Sequence, residues 1–244
     1  MLQACLNGDR RKSFNIAVPC TPDELARDAR AVVDAGADEL HVHPRDARGL
    51  ETLEPAPVAA ALNAMRNSAP GVPIGLSTRW AIQPSGRARQ RSIAAWPVLP
   101  DYVSVNLIED DAPEVISLAL GKGIGIEAGI WSTQDARRFA ALDHASSCLR
   151  VLIEINEQDE REGRAVAMAI CGILDGASLT MPRLLHGCDK TKWPLFRQAV
   201  SLGLDARIGF EDGASLPNGE TAKDNASLIQ AARRILQSGH ARDG

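Results

Sequence analysis

A (β/α)8 barrel is the fold this sequence predicts, on three observations. Eight short apolar stretches alternate with longer amphipathic ones along 244 residues. Within those stretches the side chains alternate. Leu40 and Val42, Ile74 and Leu76, Val103 and Val105, Ile124 and Ile126, Val151 and Ile153, and Ile208 and Phe210 share the face turned to the helices. The opposite face delivers Asn7, His43, Ser77, Asn106, Glu127, Glu154, His186 and Glu211 at successive strand ends, every one polar. In a barrel those ends form the mouth where catalysis sits. An open doubly wound sheet, covered on both sides, calls for strands apolar throughout. A single barrel domain over 1–244 is therefore the expectation.

The elements follow in order. A strand over 2–7 leads into a polar loop, and Thr21-Pro22-Asp23-Glu24 is a capping box with proline at the first helical position. That helix stops near Gly36. Strands are then expected over 39–43, 73–77, 102–106, 123–127, 149–155, 183–186 and 206–210. Helices are expected over 57–67, 85–96, 113–120, 133–141, 160–174, 193–202 and 225–237.

Composition excludes several classes. A net charge of −4 gives no general attraction to nucleic acid or an anionic membrane. No apolar run approaches the roughly 20 residues of a membrane helix, and the N-terminus does not read as a signal peptide. Five scattered cysteines without a CxxC pair point to a reducing compartment, hence the cytoplasm.

Chemistry concentrates in Leu40-His41-Val42-His43-Pro44-Arg45-Asp46. On a strand, His41 and His43 present both imidazoles on one face, either as metal ligands or as satisfied interior residues. Strand eight ends Arg207-Ile208-Gly209-Phe210-Glu211-Asp212. Closure of a barrel puts strand eight beside strand one and strand one beside strand two, so Glu211 can reach a metal held by the two histidines. Two His and one carboxylate with open positions suit zinc, and Fe(II) or Mn(II) tolerate the same set. A pairing of Glu211 with Arg207 is the alternative, compatible with the first.

These two motifs, with Leu216-Pro217-Asn218-Gly219 and Pro19-Cys20-Thr21-Pro22-Asp23-Glu24, resemble the β-keto acid cleavage enzyme family, whose founding activity is 3-keto-5-aminohexanoate cleavage. The resemblance implies a zinc-dependent barrel, oligomeric with copies of itself, that converts a β-keto acid and acetyl-CoA into acetoacetate and a new CoA thioester. It further implies His41, His43 and Glu211 as metal ligands, Asp212 as base, Arg207 as the partner that keeps Asp212 ionised, and Ser77 as a donor to the substrate carboxylate. A metal there would act as a Lewis acid on the chelated keto acid.

The other mouth residues carry two readings each. Glu127 and Glu154 either bind an amino group on the substrate tail or line a wet rim, and His186 either touches substrate or makes a structural hydrogen bond. Asn106 completes the substrate-facing set. Arg79, Arg87, Arg89 and Arg91 form a stretch without acids that serves either a CoA phosphate, with Arg79 foremost, or a solvated helix face. Two departures stand out. Ser77-Thr78-Arg79-Trp80 replaces the Ser-Thr-Gly-Gly common in the family, and Arg10 stands where the founding enzyme has an acid. A hydrolase of the amidohydrolase type is disfavoured because its histidine pair belongs on strand one, and a non-catalytic keto-acid or CoA-binding barrel is the reading from another class.

Overall fold

The computed structural model describes residues 1–84 and 86–240. Among them, eight parallel strands close into a barrel in sequence order. They are β1 (Leu2–Cys5), β2 (Glu39–Val42), β3 (Ile74–Ser77), β4 (Tyr102–Asn106), β5 (Gly125–Ile130), β6 (Arg150–Ile155), β7 (Arg183–Gly187) and β8 (Asp205–Ile208). Closure is made where Gln3 of β1 registers with Arg207 of β8 on one side and Glu39 of β2 on the other.

The helices between and after the strands are α1 (Pro22–Asp34), α2 (Pro55–Ser68), α3 (Gly86–Ala94), α4 (Ala112–Gly121), α5 (Thr133–Ala140), α6 (Glu160–Gly176), α7 (Lys192–Ser201) and α8 (Asn225–His240). Ser85, where the third helix was expected to begin, lies outside the described residues. The Thr21 hydroxyl accepts from Glu24 N at 3.3 Å while the Glu24 carboxylate accepts from Thr21 N at 3.2 Å, so the capping box forms as the sequence predicts. At α5 and α6 the Ser132 hydroxyl and the Asp159 carboxylate accept from Asp135 N and Glu162 N as simple side-chain caps.

The apolar strand residues assigned to the helix-facing side are all buried in the layer between strands and helices. Inside the barrel the lower layer is polar. Gln3 donates to Glu127 and to the Tyr102 hydroxyl, both at 2.9 Å, and Arg150 donates to Glu127 at 2.8 Å and pairs with Glu39. Each group in that layer has little or no access to water, so the charges neutralise one another.

Strand five corrects the expectation for Glu127. The strand runs on to Ile130, three residues beyond Glu127, because small Ala128 and Gly129 pair with Val105 and Asn106. A Cβ at Gly129 would stand 2.4 Å from the Asn106 Oδ1. Glu127 is therefore a fully buried member of the lower layer and not a residue of the rim.

Candidate active site

Two glycines bring strand eight's end to strand two. At Gly209 a Cβ would lie 1.8 Å from the Cys5 carbonyl oxygen, so only glycine lets the chain press against β1 there. Gly8, at φ +52°, leaves the space that the Glu211 side chain fills; a Cβ would meet Glu211 Cγ at 2.4 Å. Glu211 is thereby turned toward the histidines.

His41 and His43 project from β2 and the residue after it, with Nε2 atoms 3.4 Å apart and rings edge to face. Glu211 Oε1 is 3.5 Å from His43 Nε2, and Oε2 is 3.9 Å from His41 Nε2. Ligand distances of about 2.0–2.2 Å separate neighbouring donors of a tetrahedral zinc by roughly 3.3–3.6 Å. The His41–His43 and His43–Glu211 separations fall in that range, and the His41–Glu211 separation, to the other carboxylate oxygen, lies just beyond it. Glu211 Oε2 is a buried acceptor without a hydrogen-bond partner. Donor chemistry and spacing fit a divalent metal.

The surroundings orient these groups. Asn7 fixes the backbone of His43 on both sides, accepting from His43 N and donating to its carbonyl, each at 2.9 Å. Glu51 Oε1 lies 2.5 Å from His43 Nδ1, which assigns the proton to Nδ1 and leaves Nε2 facing Glu211. Burial pushes His41 down to about 4, so its imidazole is neutral. Burial has the same sense at His43, but Glu211 and Glu51 overcome it and raise His43 to about 9.

Asp212 is fully buried beside this triangle. Burial would raise its pKa, yet Arg207 and His186 outweigh it and hold the carboxyl down at about 2. One nitrogen of Arg207 donates to Glu211 Oε1 at 2.7 Å and to Asp212 Oδ1 at 2.9 Å. Both pairings read from the sequence, metal ligand and Arg207 partner, are thus available to Glu211 together. Cys5, unnoticed in the sequence, donates its thiol to Asp212 Oδ2 at 2.7 Å.

The remaining expected residues divide. Ser77 ends β3, two residues beyond Gly75, which registers with His41. Asn106 ends β4 and donates to Glu109 at 3.3 Å. Glu154 and His186 are register partners on β6 and β7, with Glu154 Oε2 3.6 Å from His186 Nε2. Arg79 is half-buried and reaches Asp9 and Glu51 at 3.3 Å each. A cavity of about 510 Å³ opens there, lined by Asp9, Arg11, Arg45, Glu51 and Arg79 among others.

Arg89 separates from that basic stretch: it is buried, donates to the Thr78 carbonyl at 2.8 Å and pairs with Glu109 and Asp111. Arg10, in place of the family's acid, donates to Asp189 at 2.9 Å and to the Glu211 carbonyl at 3.4 Å. It braces the backbone behind the metal-type donors.

Known proteins can now be set beside this geometry. The chain is 23% identical over 240 residues to the 3-keto-5-aminohexanoate cleavage enzyme of Fusobacterium nucleatum subsp. nucleatum, covering 93% of this chain and 86% of that protein. It is 23% identical over 256 residues to the 3-oxoadipate:acetyl-CoA acetyltransferase of Cupriavidus necator, covering 93% and 84%. A ternary complex of ObcA with a C4-CoA adduct and oxalate superposes with a TM-score of 0.76 at 14% identity, over 91% of this chain and 64% of that one. Apo ObcA gives 0.69 at 16% identity, over 91% and 62%. The chain thus spans just under two thirds of either ObcA chain, and at such identity the likeness speaks for the fold. The beta-keto acid cleavage enzyme family model matches residues 1–141 and 181–242. Those segments contain both His41-Val42-His43 and Glu211-Asp212, and the chain belongs to the β-keto acid cleavage enzyme family.

Proposed function

We propose that this protein is a zinc-dependent enzyme that converts a β-keto acid and acetyl-CoA into acetoacetate and a new CoA thioester. The observation that carries the reading is the His41, His43 and Glu211 triangle standing beside an Asp212 that Arg207 keeps ionised. Family membership and the acetyl-CoA-dependent activity named for the Cupriavidus relative support the reaction class.

Bound at His41, His43 and Glu211, a divalent metal would supply Lewis acidity toward the keto and carboxylate oxygens of the substrate. Asp212 accepts the proton from the carbon between those groups, since it is ionised and lies one residue from a ligand. Arg207 aims that carboxylate and balances its charge. Ser77, at the end of β3, donates to the substrate carboxylate. Asn106 and Glu154 face the tail of the keto acid, with His186 3.6 Å from Glu154, and Arg79 meets an anionic part of the substrate or of CoA at the cavity it lines. Five free cysteines fit a reducing compartment such as the cytoplasm.

The test is acetoacetate release from a panel of β-keto acids with acetyl-CoA, by wild type and by Asp212→Asn. Turnover of one panel member, reduced about 10²–10⁴-fold in the variant, supports the assignment. Full activity in Asp212→Asn removes it as the base.

A further inference from the structure

Glu211 and Asp212 are consecutive, yet they face different neighbours. Glu211 meets His41-Val42-His43 of strand two, and Asp212 meets His186-Gly187-Cys188 at the end of strand seven. The second triplet repeats the spacing of the first, with sulfur replacing one imidazole. We propose that His186, Cys188 and Asp212 form a second metal site, for a borderline-soft divalent cation of the zinc or cobalt(II) kind, adjoining the first.

One donor atom from each of the three residues lies within 4.8 Å of the other two. His186 Nδ1 is 3.2 Å from Asp212 Oδ1, and the ring is 1% exposed with neither nitrogen in a hydrogen bond of good geometry. Such a buried imidazole, paired by charge with a carboxylate and close to a thiol but without a hydrogen bond of good geometry, has ligand chemistry. The loop carrying Cys188 is fixed in place. Asp189 N donates to the Asp212 carbonyl at 2.7 Å, and the Cys188 carbonyl accepts from Thr191 Oγ1 at 3.2 Å and Gln158 Nε2 at 3.3 Å.

Nearby positive charge leaves room for the cation. Arg207 occupies one lone pair of Asp212 Oδ1, and a carboxylate oxygen has a second. Lys192 is turned away into the Gly213 and Ser215 carbonyls at 2.6 and 2.8 Å. Glu154, 3.6 Å from His186, adds negative charge on the open side. Ligation displaces the protons that Cys188 and His186 carry, and they leave to solvent. If Asp212 is the base proposed above, a cation here engages the carboxylate that takes the substrate proton, and excess metal inhibits turnover.

Cobalt(II) titration of the metal-free full chain tests the site, read by equivalents bound and by the near-ultraviolet thiolate-to-cobalt absorption. The first equivalent, on nitrogen and oxygen, is expected without that band, and the second with it. Cys188→Ser is expected to lose the band and the second equivalent, while Cys5→Ser, which removes the other thiol beside Asp212, keeps both. A titration that saturates with no band, or a band lost only in Cys5→Ser, overturns the proposal. A band that arrives with the first equivalent and survives Glu211→Gln upholds the Cys188 site and contradicts the ligand set of the proposed function.

Discussion

Glu211 and Asp212 share one guanidinium nitrogen: Arg207 Nη2 stands 2.7 Å from an oxygen of the first and 2.9 Å from an oxygen of the second. Asp212 is fully enclosed by protein and Glu211 is mostly so, and that cation is the largest influence keeping both ionised. In Arg207→Met, burial and the neighbouring Glu211 charge are opposed by His186 alone, and the Asp212 pKa climbs from about 2. A base works only when ionised, so activity lost as pH falls through a higher value is the expected sign. The acidic limb of kcat/KM should move up by more than one pH unit; an unmoved limb would show that Arg207 does not hold the base.

Glu51 orients His43 from behind, with Oε1 2.5 Å from Nδ1. Carboxylate partners of ligating histidines are worth about 10–100-fold in metal affinity. Glu51→Gln should weaken zinc binding by that order in competition with a chelator, with thermal stability near wild type. Unchanged affinity would assign Glu51 to Arg79 alone.

Arg150 and Glu127 belong to stability. Arg150→Met leaves the Glu127 carboxylate buried with Gln3 as its remaining donor, and such a loss costs about 3–5 kcal/mol. Chemical denaturation should show a loss of that order while zinc content stays at the wild-type level. A variant of normal stability but altered substrate preference would return Glu127 to the rim.

How much of this was legible beforehand follows from the range of each contact. His41 and His43 are two apart on a strand, so a local period places them together, and barrel closure brings Glu211 to them through a single intervening strand. Glu51 carries no such signal, because it reaches His43 only after the loop beyond β2 folds back and Arg45 bridges to Glu51. Cys5 was hidden as an ordinary strand cysteine. Strand five runs past the end its sequence predicts because Ala128 and Gly129, poor strand formers, are nevertheless paired by the neighbouring β4. Arg89 reads as one of a basic run, and its burial depends on Glu109 and Asp111, which lie some 20 residues further on.

The most direct measurement is metal content by elemental analysis, on wild type and Glu211→Gln purified without chelator and freed of loosely held ions. The proposed ligand set predicts about one tightly held zinc per chain in wild type and a clear loss in the variant, since Glu211, beyond strand eight, would share the ion with the two histidines of strand two. Wild type without metal, or metal retained in full by Glu211→Gln, would contradict it.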